Sequence, residues 1–134
     1  MNDSQRLAAL RIVLIVVGLI AVFAFWPLMI LWPSGWAWHN GHSDYPLMIV
    51  GIYATLGVFL LIASRDPMKH LSLIRFTVWS SGVHGAIMTW QSFVVGMDGV
   101  SHLGHLAGDV PALFIAAAAL AFLTPRGDRA LLPH

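Results

Sequence analysis

Between Ile12 and Leu31 the chain runs through twenty consecutive residues without a charge. A helix of that length crosses a bilayer core of about 30 Å. Three more apolar segments follow: Leu47–Ser64, closed by Arg65-Asp66-Pro67; about Leu73 to Val95, closed by Gly96-Met97-Asp98-Gly99; and a last one reaching Thr124 before Pro125-Arg126-Gly127-Asp128. The runs are continuously apolar rather than alternating, which favours helices over a membrane barrel. Hydrophobic residues make up 58% of the 134 and charged ones 10%, against about 25% charge in an ordinary soluble domain. A soluble chain this short could not hide so much apolar surface.

The expectation is an all-α, four-transmembrane-helix bundle forming one integral membrane domain over 1–134, with spans at about 10–32, 46–64, 71–96 and 102–124. The first span is longer than a signal-peptide core of about 7–15 residues, and no small-residue cleavage site closes it, so it is read as retained. Orientation comes from the seven basic residues: Arg6, Arg11, Arg65, Lys69, Arg75, Arg126 and Arg129. They fall in the two tails and in or beside the middle loop. The loops at 32–46 and 96–101 contain none. Positive-inside reasoning then places N-terminus and C-terminus in the cytoplasm, in a cell inner (plasma) membrane.

The lipid bilayer is the expected partner, with a homo-oligomer or larger membrane complex as further possibilities. A net charge of +1 with no basic run gives no sign of nucleic-acid binding. The absence of Cys removes disulfides, thiolate metal sites and cysteine nucleophiles. There is no Gly-rich phosphate loop and no Gly-x-Ser-x-Gly element, so the reading leans away from an enzyme and assigns no catalytic residue. Trp32, Trp36, Trp38 and Tyr45 read most simply as an interfacial aromatic belt. Gly51, Gly57, Gly82 and Gly85 lie inside spans, where small residues permit close helix approach.

The uncharged stretch Val110–Thr124 is short, and two arrangements are open. Asp109 can cap a short helix with Pro111 in its first turn. Alternatively the helix starts near Ser101 and carries His102, His105 and Asp109 on one face. The two also combine, with a short interfacial helix bending at Gly108. In the third segment Thr77, Ser81, His84, Met88 and Gln91 are spaced to share one face. Intramembrane polar groups face the bundle interior, and His84 could pair with Asp109, Tyr53 or Thr55. The candidate ligand or proton site is His84, His105, Asp109, Gln91 and Tyr53. A candidate metal set, His39, His42, Asp44, His102 and His105, is brought together by the expected topology. Histidine and carboxylate ligands suit zinc, copper, nickel or iron, and a bis-histidine haem is conceivable in a bundle. The cofactor is left unknown: none is the plainer expectation, a metal or haem the alternative.

Trp32-Pro33-Ser34-Gly35-Trp36, the run Gly51 to Gly57, the run Trp79 to His84 and the run Gly104 to Pro111 resemble those of small bacterial four-helix membrane proteins classed as a domain of unknown function. The likeness covers about Arg11 to Leu123 and implies a bacterial membrane location and four spans, but no activity. Hydropathy is also loosely similar to DoxX-like proteins, without a shared functional motif. Two functional readings follow. The first is an accessory or interaction component of the membrane. The alternative is a binding or transport module for a metal, haem or small ligand, using a histidine and aspartate cluster on the extracytoplasmic side.

Overall fold

The computed structural model describes residues 1–37, 45–94 and 102–125, and these segments are helical, without a strand among them. Helix α1 spans Asp3–Leu31. It begins two turns ahead of the apolar stretch because Asn2 and Gln5 form a reciprocal cap: Asn2 Oδ1 accepts the Gln5 N–H (2.8 Å) and Gln5 Oε1 accepts the Asn2 N–H (3.1 Å). A π turn widens it at Ile20–Ala24, where the Phe25 N–H reaches back to the Ile20 carbonyl. Pro27 follows at once, lacking an N–H and crowding the preceding turn, and a wide turn accommodates such a residue.

The short helix α2 (Pro33–Trp36) ends this first arm. Helix α3 is Tyr45–Ala63, a 3₁₀ turn at Pro67–His70 leads into α4 (Leu71–Phe93), and a second 3₁₀ turn at Leu103–Ala107 precedes α5 (Asp109–Leu123). Helices α1 and α3 cross where two glycines meet. A Cβ on Gly57 would lie 2.7 Å from the Gly18 carbonyl oxygen, and one on Gly18 would lie 2.9 Å from that of Gly57. On α4, Gly85 receives the Phe114 ring in the same way, whereas Gly51 and Gly82 have open space where a Cβ would sit. Only half of the four expected glycine contacts therefore exist, because spacing alone does not reveal which face of a helix is packed.

Helix α1 also packs on α5, and α5 on α4, while α3 and α4 do not run against each other. The start of α1 and the end of α5 are tied together. Arg6 Nε donates to the Leu123 carbonyl (3.2 Å), and Nη2 donates to those of Phe122 and Thr124. This satisfies carbonyls that a helix C-terminus leaves without intrahelical donors, and places positive charge at the negative end of the helix dipole. Lys69 pairs with Asp66 (2.9 Å) at this same end, within the field of Arg11. That hydrogen bond holds the exposed Asp66 carboxyl below its ordinary range. The buried core, Leu10, Leu14, Leu60, Ile74, Leu120 and Leu123, sits beside this basic end. At the opposite, tryptophan end, α2 packs on the turn before α5: a Cβ on Gly104 would strike the Ser34 carbonyl, and one on Gly108 the Gly35 carbonyl.

Among the described residues three helices are long and apolar enough to cross a membrane: Asp3–Leu31, Pro46–Ala63 and Leu103–Leu123. The sequence reading expects four. The exception is α4, whose 23 residues would span roughly 34 Å but whose polar side chains lower its mean hydropathy. Thr77, Ser81 and Ser92 among them are turned inward, whereas Ser72, Arg75 and Gln91 are exposed. Ile74, Thr77, Ser81, Gly85, Met88 and Ser92 are buried, while Phe76, Trp79, Val83, Ile87, Trp90 and Phe93 are exposed. Thr77, Thr89 and Ser92 donate their hydroxyls to carbonyls of α4 itself, at 2.7–2.9 Å. The pattern is the reverse of a water-soluble amphipathic helix.

Candidate functional site

The tryptophan end of the bundle gathers side chains from six segments. Tyr53 stands on α3 and His84 midway along α4, and the Tyr53 hydroxyl lies 2.7 Å from His84 Nδ1. Of the three partners the sequence offers His84, the structure selects this one. Thr55 turns away and donates to the Gly51 carbonyl of its own helix (2.8 Å). Asp109 is held by His105, whose Nδ1 is 3.0 Å from both carboxylate oxygens. Both residues are almost wholly buried, at 4% and 1% exposure.

Local chain geometry explains why His105 meets Asp109. The 3₁₀ turn 103–107 stops at Gly108, which begins α5 without a side-chain cap, and Asp109 is the first helical residue. The combined arrangement among the three open at the sequence level is the one adopted. Asp109 opens the helix, yet its carboxylate turns back to His105 rather than onto the free N–H groups of its own first turn. Glycine at 104 and 108 lets this turn lie directly on the backbone of Ser34 and Gly35. That contact brings the two tryptophan-end segments together, as the alternation of basic residues predicts.

Between α3 and α4, backed by α1 and α5, lies a cavity of about 690 Å³. Its polar lining comes mainly from Tyr53, Ser81, His84, Gln91, Trp36 and Asp109. The rest is aliphatic or aromatic, and no Lys or Arg contributes to it. Of the expected polar stripe on α4, Thr77, Ser81 and Met88 are buried, His84 is half-buried and Gln91 is exposed beside the cavity.

Two side chains at this site were not anticipated from sequence. Phe25 stacks on the Tyr53 ring (5.0 Å between centroids, 14° between planes) and meets the Trp36 ring edge-on (5.8 Å, 86°). Trp36, read as part of an interfacial belt, instead presents its ring to the cavity. Its Nε1 is buried and has no hydrogen-bond partner among the described residues. Nothing in the sequence separates Trp36, which turns inward, from Trp32, which is exposed. The burial of Gly35 against Gly108 does so in three dimensions.

The candidate metal set is only partly visible. His102 and His105 lie with ring centroids 5.8 Å apart, whereas His39, His42 and Asp44 lie outside the described residues. Among the described residues no three histidine, aspartate or glutamate side chains are grouped to hold a metal ion.

No curated protein and no solved structure matches this chain. A family model does, over residues 5–129, nearly the full length that forms the bundle and its cavity. The chain belongs to that family, a family of unknown function (DUF6632).

Proposed function

We propose that this protein crosses the plasma (inner) membrane four times, with both termini cytoplasmic, and binds a small lipid-soluble molecule in the cavity between α3 and α4. Tyr53, His84, His105, Asp109 and Gln91 form the polar end of that site. The role is one of binding or transfer, without a catalytic step. One observation carries the reading: a buried hydrogen-bonded pair, His105 and Asp109, and a half-buried one, Tyr53 and His84, sit at the end of a large, otherwise apolar cavity, inside a helical body whose outward face is also apolar. Ligand sites combine apolar walls with a few convergent polar groups in this way, and volumes of about 300–1,000 Å³ are typical. Intramembrane polar groups of this kind usually mark pathways or sites.

Ala116 lines the cavity from α5, and phenylalanine there would occupy it. Protein purified in lipid nanodiscs and extracted with organic solvent should yield a bound small molecule at about one copy per chain, and Ala116→Phe roughly tenfold less, at unchanged thermal stability. Identical extracts from the two proteins would remove the binding role.

The inverted pattern of α4 supports its being the fourth span, since buried hydroxyls and exposed aromatics suit lipid on the outside. The chain has no cysteine, so single cysteines report sidedness cleanly. Ser34→Cys should react with an impermeant maleimide on intact cells, and Met68→Cys only after permeabilisation. Equal labelling of both in intact cells would overturn the four-span arrangement.

An accessory or interaction role is the second reading. Gly51 and Gly82, with nothing within 4 Å of a Cβ position, leave room for a helix from another chain to approach closely. Crosslinking through cysteines placed at these two positions would support that role if it captured a neighbouring helix at one defined register.

A further inference from the structure

One ring nitrogen of His84 has a partner and the other does not. Nδ1 lies 2.7 Å from the Tyr53 hydroxyl, the one hydrogen bond that either side chain makes among the described residues. The proton in that bond can be placed by elimination. If the phenol donates, its O–H is satisfied and Nε2 carries the proton of the neutral ring. If Nδ1 donates instead, the Tyr53 O–H has no acceptor among the described residues. The phenol therefore donates, and His84 Nε2–H is a donor still open. His84 is half-buried and lines the cavity. Its Nε2 is not among the sealed side-chain atoms that lack a partner, so it keeps surface that an occupant can touch.

Ser81 stands one turn before His84 on the same face of α4. Thr77, Thr89 and Ser92 each give their hydroxyl to the carbonyl four residues back. The Ser81 hydroxyl makes no hydrogen bond among the described residues, although Ser81 is only 8% exposed and lines the cavity. A polar side chain buried to that degree is costly unless something meets it. The open groups on this stretch of wall are thus an imidazole donor and, beside it, a hydroxyl that both gives and takes. The rest of the wall is largely aliphatic and includes no Lys or Arg. An anionic head would lose its water there with no cation to meet it. An ammonium head has no lone pair for the imidazole N–H. An ether or ketone oxygen meets the imidazole but brings Ser81 no proton. A hydroxyl does both, and leaves the Ser81 proton for the Thr77 carbonyl, the kind of bond its neighbours make.

Resting on the binding role argued above, we propose that the cavity takes a neutral, lipid-soluble alcohol, with its hydroxyl seated between His84 Nε2 and Ser81 Oγ. The oxygen accepts the imidazole N–H, the hydroxyl proton goes to Ser81, and the hydrocarbon body lies along the aliphatic wall between α3 and α4.

The test compares tridecanol, its methyl ether and tridecane on the full-length protein and on Ser81→Ala, both in lipid nanodiscs. The ether keeps the oxygen and loses the proton. Binding is measured by saturation, and the His84 ring nitrogens are followed by NMR on isotope-labelled histidine. The wild type should bind the alcohol about fivefold tighter than the ether, the value of one ordinary hydrogen bond, and the ether tighter than the alkane. The His84 Nε2 signal should move as tridecanol saturates the site and stay in place with tridecane. In Ser81→Ala the alcohol and the ether should bind alike, while tridecane binds as before. Equal affinities of the wild type for alcohol and ether overturn the proposal. So does a margin that survives in Ser81→Ala, or a His84 Nε2 signal that tridecanol leaves unmoved; the first and last of these need no variant to fold. If no probe binds, the ligand class is wrong, and whether the cavity binds anything is read independently from the Ala116→Phe extraction.

Discussion

Gly57→Leu should leave little folded protein, and Gly57→Ala alone should lower stability by about 2–3 kcal/mol. A Cβ at this position would lie 2.7 Å from the Gly18 carbonyl oxygen, 2.8 Å from Val22 Cγ2 and 3.0 Å from Ala21 Cβ. The first of these is backbone and the third is a Cβ, so neither can rotate aside. The only relief is for α1 and α3 to move apart. Between helices in lipid there is little hydrophobic drive to restore the contact, because lipid tails are as apolar as the side chains. Close packing supplies the attraction, and it weakens steeply with a gap of even half an ångström. Gly51→Ala and Gly82→Ala provide the contrast. Nothing stands near their Cβ positions, so each should be neutral or stabilising by up to about 1 kcal/mol through helix propensity. Unfolding in mixed micelles with increasing denaturing detergent reads all four variants. If Gly57→Ala and Gly51→Ala unfold together, the crossing of α1 and α3 is not what holds the first two helices.

The helical class was legible in the long uncharged runs. The distribution of basic residues implied that the N-terminal tail, the middle loop and the end of the last segment lie together, and the Arg6 cap on the last turn of α5, together with Asp66 and Lys69 within the field of Arg11, agrees with that grouping. The same logic implied that the segment after Trp32 meets the segment around His105, and Gly104 and Gly108 lie on Ser34 and Gly35. The interior stripe of α4 could be read from spacing, since polar residues in a span seek the bundle centre. Its membership was less exact: Gln91 lies at the exposed rim.

Other features depend on which elements pack together, and local pattern does not carry that. Spacing named Asp109, Tyr53 and Thr55 as partners for His84, but only the separation of α3 from α4 makes Tyr53 the one in reach. Hydropathy counted four apolar segments, yet α4 falls short of the other three because its polar side chains are counted without regard to direction. The π turn at Ile20–Ala24 had a local signal in Pro27, which implies a disturbance but not its form. Trp36 had none. A tryptophan facing lipid headgroups and one facing a cavity look alike in sequence, and the difference arises from a backbone contact some seventy positions away.

Single substitutions of Asp109 or His105 by alanine should each cost about 3–5 kcal/mol, and the double substitution distinctly less than their sum. Each single change removes a hydrogen-bond partner from the other, buried group. His105→Ala leaves a carboxylate at 4% exposure without its imidazole, and Asp109→Ala leaves an imidazole at 1% exposure without its carboxylate. Removing both takes the polar problem away and leaves mainly a cavity, so a coupling of about 1–3 kcal/mol should appear in a double-mutant cycle. The pair also has a positional consequence. It fixes the 3₁₀ turn against the first turn of α5, and that turn is what rests on Ser34 and Gly35 beside Trp36. The single variants should therefore lose ligand binding along with stability. Tyr53→Phe should retain the fold and lose only about 1 kcal/mol, the net value of one hydrogen bond, since Phe25 stacks on its ring and not on its hydroxyl. Denaturation of the four proteins in the cycle decides the matter. Strictly additive costs would mean that His105 and Asp109 act independently, and the link from this pair to the wall of the cavity would then be broken.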